Sequence, residues 1–331
     1  MTAPRLRLAL RLRLARVVLV VLGGVALFAD FLASDRPVLA RVRGELRFFA
    51  NVTQPTDLPP DLDGLDAAMQ PGDWYIAALV PYGPLQARVR GEVHALRPPS
   101  SAHWLGTDRA GCDVFARLVH GARASLGVGL VAALLACGLG ALLGLWAGAG
   151  GRFADGALSR LAEAFAAFPP LVLLCALQAV AYERGALGLV ATGAALGLVG
   201  WPYTFRIARA QVRSARARDY VMAARSLGAS PMRIAWVHLA PAALPGVTVA
   251  AAFMLPSAIL LEASLAYLGV GLPPDAASWG ELLFQAGFGW ERWWLVLFPG
   301  LALAATSACL LTVADGFRAR LDPRARAGLR G

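Results

Sequence analysis

Four stretches of this chain, 124–151, 164–182, 185–205 and 293–314, contain no charged side chain. Each is close to the roughly 20 residues that a helix needs to cross a hydrocarbon core. In hydrocarbon every backbone N–H and C=O must be bonded within the segment, so these runs predict helices. Two further segments, 17–33 and about 244–268, carry one acid each, Asp30 and Glu262. Both acids sit towards a segment end, where the penalty of about 2.5–3.5 kcal/mol for a central charge is relieved. The expectation is an all-α integral membrane protein with six transmembrane helices: a first helix at 17–33 and a five-helix core over 119–314. Composition agrees, because only 16% of residues are charged against about 25% in ordinary soluble domains.

Arginine sets the orientation. Arg5, Arg7, Arg11, Arg13 and Arg16 precede the first apolar run. This opening is similar to a signal peptide, but no small-x-small cleavage site fits and further spans follow. The reading is a cytoplasmic basic tail over 1–16 and an uncleaved first span. The segment 206–241 carries Arg206, Arg209, Arg213, Arg216, Arg218, Arg225 and Arg233 against one acid, Asp219. The tail 315–331 adds Arg318, Arg320, Arg324, Arg326 and Arg330. An even number of spans places all three basic regions, and both termini, in the cytoplasm of a bacterial cell, with the chain in its inner membrane. Residues 34–118 then form a small, proline-rich extracytoplasmic segment. Alternation over 38–49 predicts a strand pair turning at Arg43-Gly44-Glu45.

The basic residues are all arginine, since the chain contains no lysine. A P-loop needs a lysine to hold phosphates, so any ATP is bound by another chain, and no cofactor is expected on this one. The net charge of +10 is ascribed to arginines flanking spans beside membrane lipid, and not to nucleic acid. Cys112, Cys137, Cys175 and Cys309 form no Cys-x-x-Cys pair, and the histidines lack ligand spacing, so no metal site is expected. A membrane-embedded enzyme would need convergent acids, histidines or a nucleophile in the spans, and none is apparent. An ATP-independent channel remains the alternative class.

The segment 219–241 is the most informative. Asp219 is a candidate helix cap, and Tyr220, Ala223, Ala224 and Leu227 then share one face, with Met222 beside them. Gly228 falls where a helix end needs a left-handed residue. Ser230 and Pro231 next supply a cap and a first-turn proline. Met232, Trp236 and Leu239 offer a second apolar face, which Pro241 limits. Two short helices joined by a tight turn are expected, either docking in a groove on a soluble partner or lying on lipid headgroups.

Gly140, Gly144 and Gly148 recur at four-residue spacing and let a second helix approach, within this chain or from a partner. Glu262 is either a pathway or gating contact or an interfacial acid. Trp279, Trp290, Trp293 and Trp294 suggest an interfacial aromatic belt, with stacking on a partner as the other reading.

The 219–241 segment resembles the coupling loop of binding-protein-dependent ABC importer permeases, whose pattern is Glu-Ala-Ala, three residues, Gly, then Leu-Pro. Ala223, Ala224, Gly228 and Pro241 stand in register, while Met222 and Ala240 replace the usual glutamate and leucine. Residues 103–117 and 121–126 are similar to the dipeptide/oligopeptide branch, with Cys112 in place of an arginine. Residues 262–271, 278–280, 315–318 and 321–324 extend that likeness. Ser34-Asp35-Arg36-Pro37 and residues 43–48 resemble the microcin C-type subgroup. The resemblance implies the type I importer permease fold and import of peptides, modified peptides or another solute such as nickel. It also implies a second homologous permease, two cytoplasmic ABC ATPase subunits that use ATP and Mg, and an extracytoplasmic solute-binding protein.

Overall fold

The apolar runs fold largely as helices, interrupted at Pro169-Pro170 but continuous through Pro202, Pro245, Pro256 and Pro299. In a computed structural model, residues 3–56, 58–59, 61–85, 95–273, 276–287 and 289–321 are described, with side chains from residue 10 onward. Arg324, Arg326, Arg330 and the end of the 321–324 motif lie outside the described residues, as do the side chains of Arg5 and Arg7. The elements are α1 (Ala3–Leu27), α2 (Ala29–Leu32), β1 (Leu39–Val42), β2 (Glu45–Phe48), α3 (Ala50–Thr53), α4 (Leu62–Ala68) and β3 (Trp74–Ile76). They continue with α5 (Val114–Ala149), α6 (Arg152–Ala167), α7 (Pro170–Glu183), α8 (Leu189–Arg216), α9 (Asp219–Ser226) and α10 (Pro231–Arg233). A π-helical turn (Ile234–Leu239), α11 (Ala240–Tyr267), α12 (Trp279–Ala286), a 3-10 turn (Trp290–Arg292) and α13 (Trp293–Leu321) complete them.

Among the described residues, three helices are long and apolar enough to cross a membrane: Val114–Ala149, Pro231–Tyr267 and Trp290–Leu321. The pair α6 and α7, bent by 91°, makes a fourth if it counts as one span. The expected straight span at 164–182 is therefore corrected to a broken one. Pro169 and Pro170 push the preceding backbone out of the helical region, and Phe168 and Pro169 are extended, with ψ of 138° and 125°. Of the expected spans 17–33 and 185–205, residues 17–27 lie in α1, which breaks at Phe28 before α2, and 189–205 lie in α8. These helices extend beyond the expected bounds through Arg11, Arg13 and Arg16 and through Arg206 to Arg216. Residues 3–16 are thus helical, since leucine, alanine and arginine are all strong helix formers.

The chain divides into two compact units. One comprises Met1–Val18, Gly127–Leu265 and Thr306–Gly331. Its central seam joins α5 to α8. A Cβ added at Gly140, Gly144 or Gly148 would lie 2.7 Å from the Cβ of Thr204, Ala208 or Val212. From the opposite side, Gly193 and Gly197 meet Val131 and Leu135 at the same distance. Small residues on both helices permit this approach, which lets lipid-insensitive dispersion contacts hold the pair. The close contact of the three glycines is to α8 of the same chain. Trp201 and Phe205 then pack with Ala147 and Ala162.

The other unit comprises Leu19–Leu126 and Ala266–Ala305. It contains an antiparallel sheet of order β2-β1-β3, so the all-α expectation is corrected here. The predicted strand pair forms, with Val42 opposite Glu45 and both Arg43 and Gly44 at positive φ. Nearby, residues of the 103–117 motif meet residues 278–285 in a buried polar core. Asp108 accepts from the backbone N–H of Ala110 and Cys112 at 2.9 and 2.8 Å, and from Arg117 at 2.6 Å. Arg117 also reaches Glu281 at 2.7 Å, and Gln285 donates to Asp108 and Glu281. Asp113 holds His103 at 2.8 Å and accepts from the N–H of Ala116 at the start of α5. Burial pushes the Cys112 thiol up to about 11, so it serves as a neutral core group. Two of the four belt tryptophans are core as well. Trp279 and Trp294 are buried and donate to the carbonyls of Leu118 and Thr107, whereas Trp290 and Trp293 are exposed.

Candidate functional site: a cradled helix pair

Residues 215–243 contain two helices joined by a tight turn within the first unit. Asp219 opens α9 but is not its cap: that position is Arg218, which makes no side-chain capping bond. Asp219 instead lies in the first turn, where a carboxylate complements the helix dipole. At the far end Gly228 adopts φ +81°. The N–H of Ala229 donates to the carbonyl of Ala224 at 3.1 Å, and the N–H of Gly228 to that of Arg225 at 3.0 Å. This nested pair stops the helix and needs a left-handed residue between the two bonds. Ser230 then caps the next helix by accepting from the N–H of Arg233, with Pro231 in the first position.

The second helix does not end at Pro241. It runs from Pro231 to Tyr267 without a break, which corrects the expected short helix. The π-helical turn Ile234–Leu239 is the reason. Ala240 bonds back to the carbonyl of Ala235, five residues earlier, and this wider turn relieves the clash a proline makes in a regular helix. The turn also rephases the side chains. Leu239 is buried, while Met232 and Trp236, expected on the same face, are exposed.

One side of the pair is packed and the other is open. Val221, Ile234 and Leu239 are buried with Leu145, Val212, Ala215 and Ala243, so α9 is anchored on α5 and α8. Outward, Leu227 is 88% exposed, Met232 69% and Met222 59%, and Tyr220 and Ala223 are exposed too. Ala224 is half-buried, and Pro241 is exposed. The anchoring residue Val221 escaped the sequence reading because the apolar face at Tyr220, Ala223 and Leu227 matched helical period equally well. Glu262 lies elsewhere in this unit, fully buried in α11, and not at an exposed interface.

Comparison with known proteins places the chain among transport proteins. The sequence profile described as binding-protein-dependent transport system inner membrane component matches residues 140–327. A Brucella suis protein named as a peptide transport system permease is 38% identical over 231 residues, covering 69% of this chain and 76% of the relative. A second Brucella suis peptide permease protein is 37% identical over 234 residues, covering 69% of this chain and 75% of that protein. A D,D-dipeptide transport system permease protein of Escherichia coli is 36% identical over 233 residues, with coverage of 70% and 76%. Among solved structures, an inward-facing MetNI methionine ABC transporter aligns over 61% of this chain and 96% of that chain. The TM-score is 0.49 and the identity 19%, a likeness that carries no argument about residues here.

Proposed function

The chain belongs to the family of inner membrane components of binding-protein-dependent transport systems, and from that premise we propose that it forms half of the translocation pathway of an ATP-driven peptide importer. It is a multi-pass permease subunit of an ABC importer, and hydrolysis of ATP belongs to separate subunits. Peptide cargo is supported by the names of the Brucella and Escherichia coli relatives. The complete assembly would add a second homologous permease, two cytoplasmic ATPase subunits using ATP and Mg, and an extracytoplasmic solute-binding protein. Arginine distribution supports six spans in the inner membrane, both termini in the cytoplasm and residues 34–118 outside.

The observation that carries the proposal is the helix pair, whose inner face is buried while its outer apolar face is open. An anchored amphipathic helix of this kind fits a groove on a soluble protein. Because α9 rests on α5 and α8, a pull on it is transmitted to spans and not absorbed by a loose loop. Closure of the ATPase pair on ATP would then favour one of two bundle arrangements, and phosphate release the other. Glu262 has a place in this reading as a gating contact, since a buried acid in a span is costly to leave in the wrong environment. Leu227→Asp in the assembled transporter tests the docking role. The expected result is loss of peptide uptake and of coupled ATP hydrolysis while the permease keeps its thermal stability. Unchanged uptake would refute it.

A further inference from the structure

Beside α9 lies a concavity of about 510 Å3 lined by Met222, Arg225 and Ser226 from α9 and by Arg213 and Arg216 from α8. Three arginines line it, and among the described residues no acid does. Among the described residues Arg216 donates to the neutral carbonyls of Gly148 and Gly150, at 3.4 and 2.9 Å, and to no carboxylate. Arg213 touches Asp155 at 3.4 Å, but that carboxylate is already gripped by both Nε and Nη2 of Arg209. The Arg225 side chain makes no hydrogen bond or ion pair among the described residues. Asp155 thus answers Arg209 and, in part, Arg213, whereas Arg216 and Arg225 meet no carboxylate among the described residues, so net positive charge faces this hollow.

We propose that this concavity receives a carboxylate side chain of the ATPase subunit that docks on α9, so that the partner supplies the acid and this chain the arginines. The inference rests on the docking reading above and adds to it the chemistry of the contact. A planar guanidinium binds carboxylate through paired, charge-assisted hydrogen bonds. Met222 supplies an adaptable apolar wall for the stem of the incoming side chain. Its lining residues Met222, Arg225 and Ser226 stand on the same short helix as the exposed Tyr220 and Ala223, next to Leu227 at its end. Anionic lipid would meet the same charges, and the experiment separates the two.

Binding of the purified permease to its own ATPase subunit is measured for Met222→Glu, for the pair Arg213→Gln with Arg225→Gln, and for Leu227→Asp. Met222→Glu places a carboxylate in the hollow from this chain itself, and both changes are expected to weaken binding about tenfold and flatten its salt dependence. Arg225→Glu combined with replacement of the ATPase acid crosslinked to Met222→Cys by arginine is expected to restore binding. If Leu227→Asp abolishes binding while the charge changes leave it intact, docking stands and this proposal falls. If none of the variants matters, docking itself fails. Loss of binding to phosphatidylglycerol vesicles, with ATPase binding unaffected, would assign the hollow to lipid and overturn the proposal.

Discussion

Replacing Gly144 by alanine puts one methyl group into the seam between α5 and α8. That Cβ would lie 2.7 Å from the Cβ of Ala208, 2.8 Å from the carbonyl oxygen of Phe205 and 3.0 Å from the amide nitrogen of Arg209. Ordinary contacts between carbon atoms are about 3.5–4.0 Å, so α8 must withdraw by roughly 0.8 Å. Two of the three obstructing atoms are backbone, which no side-chain rotation can move aside. Retreat would also loosen the approaches at Gly140, Gly148, Gly193 and Gly197. Overpacking of this kind costs about 1–3 kcal/mol. The same substitution at Gly138, on the same helix, meets nothing within 4 Å. Both variants gain the helix preference of alanine over glycine, about 1 kcal/mol, so their difference isolates packing. Apparent unfolding temperatures of the purified protein in one detergent should place Gly138→Ala at or above the parent and Gly144→Ala several degrees below Gly138→Ala. Indistinguishable variants would refute the close approach of the two helices.

Other perturbations follow from the same geometry. Gly228→Ala meets no atom within 4 Å but must hold φ +81°, so its cost of about 1–2 kcal/mol is purely conformational. Its effect should fall on coupled ATP hydrolysis, and Gly228→Asn, better tolerated in that region, should retain more activity. Arg117→Met should leave Asp108 and Glu281 as buried carboxylates without their cation, costing about 3–5 kcal/mol, read as loss of folded protein in size-exclusion profiles. Leu227→Asp, at a position 88% exposed, should change permease stability by no more than about 0.5 kcal/mol while abolishing transport.

Much of the permease was legible in the sequence because membranes leave a chain few choices. A charge-free run near twenty residues becomes helix over most of its length, and glycine before Ser-Pro becomes a left-handed stop followed by a capped restart; Gly228 and Ser230 adopt these roles. The hairpin at Arg43-Gly44 was readable for a similar reason, since alternation and turn chemistry are local.

Whatever depended on distant partners was settled only by the tertiary structure. The pair Pro169-Pro170 marks a discontinuity, but the 91° angle between α6 and α7 is read only from the structure. Pro241 looked like a stop, and the π-helical turn upstream allowed the helix to continue. The spacing of Gly140, Gly144 and Gly148 announced a groove but not its occupant, which is α8. Asp108, Arg117 and Glu281 carry no local sign of partnership, because the ion pairs among them join residues up to 164 positions apart. Likewise, helical period alone made Val221 and Leu227 equal candidates for burial, and only the presence of Leu145, Val212 and Ile234 on one side turned Val221 inward and left Leu227 facing out. Local chemistry fixes where a chain turns and what can enter a membrane, whereas the choice between equivalent faces belongs to whichever surface is there to cover them.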